Sequence, residues 1–120
     1  MKDRDAVILQ KIIRYTDEIA YTMREYDLTL ETLKNSITPK NAISMCILQI
    51  GELVGLLSEE IKQQYGAIPW SRIKAMRNIA AHNYEVFDMT LLWETANHDI
   101  PHLKSYCEKI LVSSPDATME

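Results

Sequence analysis

A cation, an imidazole and a phenol lie within one short stretch of the chain, the eight residues from Arg77 to Tyr84. Imidazole titrates near neutral pH, so His82 can take a proton from a ribose hydroxyl or give one to a leaving oxygen. The guanidinium of Arg77 can hold a phosphate through two hydrogen bonds and stabilise its transition-state charge. These residue types suit phosphoryl transfer from RNA. The structural alternative, an Arg at a helix end and a His in the core, is the commoner arrangement.

The spacing of these residues limits how they can meet. Seven residues make nearly two helical turns, so Arg77 and Tyr84 share one face of an uninterrupted helix, whereas His82 lies about 140° around it from Arg77. The imidazole reaches the guanidinium if the helix unwinds at about His82, which Asn83 and the following loop permit. A dimer that joins two copies of the motif across a shared cleft is the other solution.

Hydrophobic periodicity predicts an all-α fold, an up-and-down bundle of four or five helices. The first helix covers residues 5–26, and residues 30–35 form one further turn. Thr38 is the predicted N-cap of a second helix, 39–64, with Pro39 in its first turn and Gly66 as its C-terminal cap. A third helix runs from about Trp70 towards His82. The last covers 89–112, with a kink near Pro101.

The second helix is apolar almost all round, which is typical of a helix buried on more than one face. In so small a domain this profile suggests that the helix also lines a homodimer interface. Gly51 and Gly55, four residues apart, each weaken the helix and so predict the close approach of another helix. That helix belongs either to the same chain or to a second copy.

Length and composition indicate a single domain, residues 1–112, followed by a frayed polar tail, 113–120. The chain has 120 residues, of which 47% are hydrophobic and 25% charged, so neither a disordered nor a fibrous class is suggested. Cys46 and Cys107 sit inside apolar helical patterns and are interpreted as buried thiols of a reducing compartment. With acids directly after Met1 and no long apolar run, we expect a cytoplasmic protein without a membrane span.

The charge is unevenly distributed along the chain. Residues 61–84 carry four cations and no acid, a local charge of +4, whereas the rest carries −8. One face can therefore attract phosphate. The alternative, favoured by charge alone, is that these cations are solvated on a helix surface.

The motif Arg77-Asn78-x-x-x-His82-x-Tyr84 resembles the R-x4-H-x-Y signature of the HepT-like toxins in the HEPN superfamily. Its surroundings are similar to those of the family as well: Gln49-Ile50-Gly51-Glu52 matches a Q-x-G-E stretch, Ile68-Pro69-Trp70 enters the motif helix, and Trp93 lies in the last helix. The resemblance covers roughly residues 5–111.

This resemblance implies a homodimeric, metal-independent endoribonuclease, the toxin of a type VII toxin–antitoxin system, that needs no cofactor. His82 would act as general base or acid, Arg77 would clamp phosphate, and Asn78 would orient the site or contact the ribose. The expected products are a 2′,3′-cyclic phosphate and a 5′-hydroxyl. The implied partner is an MntA-type nucleotidyltransferase antitoxin that transfers AMP onto Tyr84, where added bulk and negative charge would keep RNA away from Arg77.

Three assignments stay open at the level of sequence. Glu52 is either a buried partner of Arg77 or the polar edge of the second helix, and the latter is slightly preferred. His98 and His102 are four apart, but Pro101 disturbs the geometry of a metal pair and no third ligand is evident, so a surface pair is preferred. A non-catalytic module that regulates or binds a nucleotidyltransferase is the rival function, although it does not require Arg77 and His82 together. A generic helical adaptor ranks last.

Overall fold

The computed structural model describes residues 3–82 and 89–113, and every regular element in these two stretches is helical. The elements are α1 (Asp3–Glu25), α2 (Leu30–Asn35), α3 (Ile37–Leu56), α4 (Glu59–Gln64), α5 (Trp70–His82), α6 (Met89–Glu94), a π segment (Thr95–Asp99) and α7 (Ile100–Ser113). The all-α prediction is confirmed. Homodimerisation stays a prediction, and residues 114–120 of the expected tail lie outside the described residues.

Helix α3 is the central element of the bundle, since it packs against α1 on one side and α5 on another. Its apolar residues lie in one core with the inward faces of α1 and α7, and Ile47, Ile50 and Val54 are completely buried there. The nearly all-round apolar profile of α3 thus reflects contacts with several helices of its own chain. Met45 and Leu56 on the same helix remain more than half exposed.

The connection between α1 and α2 follows the sequence closely. Asp27 adopts a left-handed conformation with φ 48°, and this ends α1 where the hydrophobic pattern breaks. Thr29 then caps α2: its hydroxyl accepts from the backbone N–H of Thr32, whose hydroxyl accepts from the N–H of Thr29. This reciprocal pair is a capping box with Thr in the third helical position.

The predicted start of the second helix is wrong by two residues, and the prediction of one continuous helix to residue 64 is also wrong. Helix α3 begins at Ile37, because the N–H of Lys40 already bonds to the carbonyl of Ser36, which makes Ser36 and not Thr38 the N-cap residue. Pro39 does lie in the first turn, where its missing N–H costs little.

The helix predicted for residues 39–64 is broken at residues 57 and 58. The buried carboxylate of Asp5 accepts from the backbone N–H of Ser58 at 3.0 Å and from its hydroxyl at 2.6 Å. The same hydroxyl accepts from the N–H of Ile61 and caps α4. A tertiary contact with α1 therefore stabilises a new helix start that the apolar periodicity does not reveal. Tyr65 is the C-cap of α4, and Gly66, predicted for that role, follows it without a positive φ.

The irregularity expected near Pro101 takes the form of the π segment. The N–H of Ile100 bonds to the carbonyl of Thr95, five residues back, so the chain is locally wider than an α-helix. Pro101 has no N–H to close the next α-helical bond, which is the physical reason for a change in the ladder here. None of the described helices has the length and hydropathy needed to cross a bilayer.

Candidate active site

The motif helix α5 begins where the sequence predicts. Ile68 and Trp70 are buried, and Pro69 between them starts the helix by accepting from the N–H of Ile73. The indole of Trp70 donates to the carbonyl of Tyr65 at 3.1 Å, which ties the start of α5 to the end of α4. The Ile-Pro-Trp stretch therefore anchors the helix that carries the motif.

Arg77 lies two turns into α5 and faces α3. Its Nε donates to Oε1 of Glu52 at 2.5 Å, and its Nη1 donates to Oδ1 of the adjacent Asn78 at 2.8 Å. The Arg77 side chain is 37% exposed and that of Glu52 is 49% exposed, so the pair opens to solvent. Among the residues that the structure describes, Nη2 has no hydrogen-bond acceptor and is the guanidinium nitrogen left for a ligand.

Glu52 therefore combines features of both sequence interpretations. It is the partner of Arg77, which the preferred interpretation did not expect, yet it is not buried. Pairing through Nε fixes the guanidinium plane while leaving the outer edge available, an arrangement suited to binding a phosphate.

Gly51 explains how Arg77 can lie so close to α3. A Cβ built on Gly51 would overlap the Cβ of Arg77 and would come within 3.1 Å of its Cα. Gly55, one turn further along α3, faces the side chain of Lys74 with room for a Cβ at 3.5 Å. The close approach predicted from the two glycines thus occurs within the chain, between α3 and α5.

His82 is the last residue of α5, and the helix reaches it without a break. Regular helical geometry places its backbone position about 140° around the axis from that of Arg77. The unwinding that the sequence permits at about His82 and Asn83 would begin where α5 ends, and it stays a prediction because residues 83–88 lie outside the described residues. The side chain of His82 and all of Tyr84 lie outside the described residues.

The other residues singled out from the sequence lie in the core or on the surface of the bundle. Gln49 and Trp93 are half-buried, and Trp93 packs against the core. His98 pairs with Glu94 at 3.2 Å, whereas His102 is exposed on α7. These contacts agree with the interpretation of the two histidines as surface residues.

Comparison with known proteins identifies the family to which the chain belongs. The model of a family described as "HepT-like: Ribonuclease HepT-like" matches residues 8–110. The chain belongs to the HepT-like ribonuclease family. The all-helical architecture is compatible with this membership.

Curated relatives of the chain are named as ribonucleases. The chain is 33% identical over 112 residues to a protein of Methanocaldococcus jannaschii named "Putative RNase MJ0125", covering 92% of this chain and 95% of that protein. It is 32% identical to "Putative RNase MJ1216" of the same organism, over 92% and 91% of the two chains. A shorter stretch, 51% of this chain and 56% of the relative, is 36% identical to "Probable ribonuclease HepT" of Thermococcus cleftensis. No solved structure is significantly similar to the chain.

Proposed function

We propose that this protein is an endoribonuclease that cleaves RNA without a metal ion, with Arg77 and His82 as its catalytic residues. The observation that carries the proposal is the position of Arg77: Glu52 and Asn78 hold its guanidinium at a solvent-open edge, on the same helix as His82, in a chain of the HepT-like ribonuclease family. A guanidinium held in this way binds a phosphate with little loss of side-chain entropy.

The chemistry consists of an internal transesterification. The 2′-hydroxyl loses its proton, its oxygen attacks the neighbouring phosphorus, and the bond from phosphorus to the 5′ oxygen breaks. His82 acts as general base or acid for these proton transfers. Arg77 stabilises the negative charge on the phosphate oxygens as the fifth oxygen approaches. The products are a 2′,3′-cyclic phosphate and a 5′-hydroxyl, and no water is consumed in this step.

A homodimer completes this site in the proposal. Because α5 is helical up to His82, the backbone positions of Arg77 and His82 in one chain lie about 140° apart around the helix axis. A twofold arrangement places the His82 of one copy beside the Arg77 of the other and supplies two imidazoles, one for each proton transfer. Asn78, which contacts Arg77, orients the guanidinium or reaches the ribose.

Regulation by an antitoxin follows from the position of Tyr84, two residues after His82. We propose that a cognate nucleotidyltransferase of the MntA type modifies the phenol: its oxygen attacks the α-phosphorus of ATP, AMP is transferred, and pyrophosphate leaves. The added phosphate repels the RNA backbone and its adenosine blocks the cleft. This is the toxin half of a type VII toxin–antitoxin pair. Tyr84→Phe should gain no AMP mass and should stay active in the presence of the partner and ATP.

The first test of catalysis compares four single variants with the wild type in excess EDTA on total RNA. Wild type, Arg4→Ala and His98→Ala should cleave, whereas Arg77→Ala and His82→Ala should lose activity by roughly a hundredfold or more. The controls remove exposed residues of the same types from other helices. Fragments ending in 3′-hydroxyl and 5′-phosphate would contradict the mechanism, because attack by the 2′ oxygen cannot produce them. Equal behaviour of all folded proteins would favour the non-catalytic partner of a nucleotidyltransferase.

A further inference from the structure

A groove runs beside the candidate site, between α4 and the first turns of α5. Its volume is about 640 Å³, within the range of clefts that hold ligands. We call it the α4–α5 groove. It is lined by Val54, Glu59, Lys62, Gln63, Gly66, Ile68, Pro69, Trp70, Ser71, Arg72 and Lys74.

Three cations and one acid line the α4–α5 groove. Lys62 is only 17% exposed, with its stem against the wall, and its ammonium lies 3.9 Å from Glu59, which is 83% exposed. So exposed a carboxylate forms a weak pair that an incoming phosphate can replace. Arg72 is 70% exposed and bonds to Asp99 at 3.2 and 3.3 Å. Lys74 forms no ion pair with any residue that the structure describes. The groove thus keeps a positive balance in a chain whose net charge is −4.

The groove includes Lys74, which lies close to Arg77 of the candidate active site along α5. Lys74 packs beside Gly55 of α3, and Arg77 packs beside Gly51, so both cations line the same antiparallel helix contact. They are three positions apart in the helix, a rise of roughly 4.5 Å along its axis. An extended strand whose phosphate is held by Arg77 can therefore place an adjacent phosphate at Lys74 and continue towards Lys62.

The groove offers contacts to phosphate but no platform for bases. The aromatic residue in its lining, Trp70, is 7% exposed, and its indole N–H is already bonded to Tyr65. Proteins that select bases in single strands stack them on exposed aromatic rings, which this wall does not present. Lysine ammonium groups, in contrast, bind the backbone of any sequence.

We infer that the α4–α5 groove binds the sugar–phosphate backbone of the RNA strand next to the scissile phosphate, through Lys62, Lys74 and Arg72, without reading sequence. The inference rests on the proposed ribonuclease function for its substrate. The chain outside residues 61–84 carries a net charge of −8, which disfavours the binding of polyanions elsewhere.

The test measures binding separately from cleavage. The probe is a fluorescein-labelled 2′-O-methyl RNA of about 12 nucleotides, a typical length for a single-strand site. It cannot be cleaved by 2′-oxygen attack, so wild-type protein can be titrated with it. The variant Lys62→Gln/Lys74→Gln is compared with Lys11→Gln/Lys34→Gln, which removes the same charge from exposed positions on α1 and α2. Circular dichroism confirms folding of each protein.

The groove variant should bind the probe roughly tenfold more weakly, and the slope of log affinity against log salt should fall by about 1.4, the value for two lost single-strand phosphate contacts. The control should stay within about twofold of wild type, and Lys62→Arg/Lys74→Arg should restore binding. With cleavable RNA as substrate, kcat/KM of the groove variant should fall because KM rises, while kcat stays close to that of wild type. Equal affinities of the groove variant and the control overturn the inference.

The two proposals fail in different ways. If wild type cleaves RNA and the groove variant binds RNA as tightly as wild type does, the ribonuclease proposal is supported and the groove inference is overturned. If binding depends on the two lysines but no RNA is cleaved, the ribonuclease proposal is overturned and the groove inference is supported. If the groove variant keeps its RNA affinity but no longer associates with the nucleotidyltransferase, the groove is a protein interface and the inference is overturned.

Discussion

Gly51 of α3 lies directly against the Cβ of Arg77 on α5, and the Cβ of any other residue at position 51 would overlap it. The absence of a side chain at Gly51 thus allows the guanidinium of Arg77 to lie close to α3. Glu52, the next residue, then receives the Nε of the same arginine at 2.5 Å.

We predict that Gly51→Ala and Gly55→Ala have opposite effects on stability. The Cβ added by Gly51→Ala would collide with the Cβ of Arg77 and lie only 3.1 and 3.2 Å from the Cα and N of the same residue, so α5 must shift at a cost of about 1–3 kcal/mol. Alanine at 55 makes ordinary contact with the flexible Lys74 and should gain up to about 1 kcal/mol of helix propensity. Urea denaturation of both variants measures the difference, and RNA cleavage should fall only for Gly51→Ala. Equal stabilities would show that α5 does not approach this closely.

Glu52 is predicted to act by positioning Arg77. Because the pair is about half exposed, Glu52→Ala should change the free energy of unfolding by less than about 1 kcal/mol. The cleavage rate should nevertheless fall on the order of tenfold, since the guanidinium loses one of its two fixed partners. Glu52→Gln, whose amide oxygen still accepts from Nε, should recover part of the rate, and Glu60→Ala on α4 serves as the matched control. A rate unaffected by Glu52→Ala would mean that Arg77 needs no support from α3.

Asp5 is predicted to be required for the break between α3 and α4. Asp5→Ala leaves the backbone N–H of Ser58 without its buried acceptor and should destabilise the fold by about 1–3 kcal/mol. Asp3→Ala, at an exposed position of the same helix turn, should change stability by less than about 0.5 kcal/mol. Thermal or urea unfolding of the two variants measures this difference in stability. A neutral Asp5→Ala would indicate that α4 starts at Ser58 without help from α1.

The two thiols predict a loss of stability at alkaline pH. Burial raises the pKa of Cys107 to about 12, and burial together with the carboxylate of Glu18 raises the pKa of Cys46 to about 12, from the ordinary thiol value of 9.0. The unfolded chain therefore releases these protons first. The stability contributed by the neutral thiols is complete below pH 9 and is lost as the pH rises towards 12.

The measurement compares wild type with Cys46→Ala/Cys107→Ala by urea unfolding between pH 8 and 11. The wild-type curve should fall more steeply with pH than that of the variant, because tyrosines and lysines titrate in both proteins and cancel in the difference. At pH 8 both folded thiols should react slowly with a thiol reagent. Parallel curves or rapid labelling of the folded protein would contradict the burial of these side chains.

Local signals in the sequence determined most of the helical architecture. The break after Glu25, the start of α5 at Trp70 and the inward faces of α1 and α7 follow from apolar spacing and from helix-starting and helix-ending residues, which act over one or two turns. Likewise the motif and its Gln-x-Gly-Glu flank were sufficient to indicate the family, which the family model then confirmed.

Contacts between distant residues required the tertiary structure. The end of α3 depends on Asp5, more than fifty residues before Ser58, and no local pattern predicts such a bond. The role of Gly51 could not be assigned from sequence, because close approach within a chain and between chains has the same helical signature. Glu52 was undecided for the same reason: a carboxylate on a helix looks solvated until the helix packed against it is known. The sequence by itself thus determined the helices, the motif and the family, whereas only tertiary packing decided which side chains hold Arg77, since that choice depends on distances across α3 and α5.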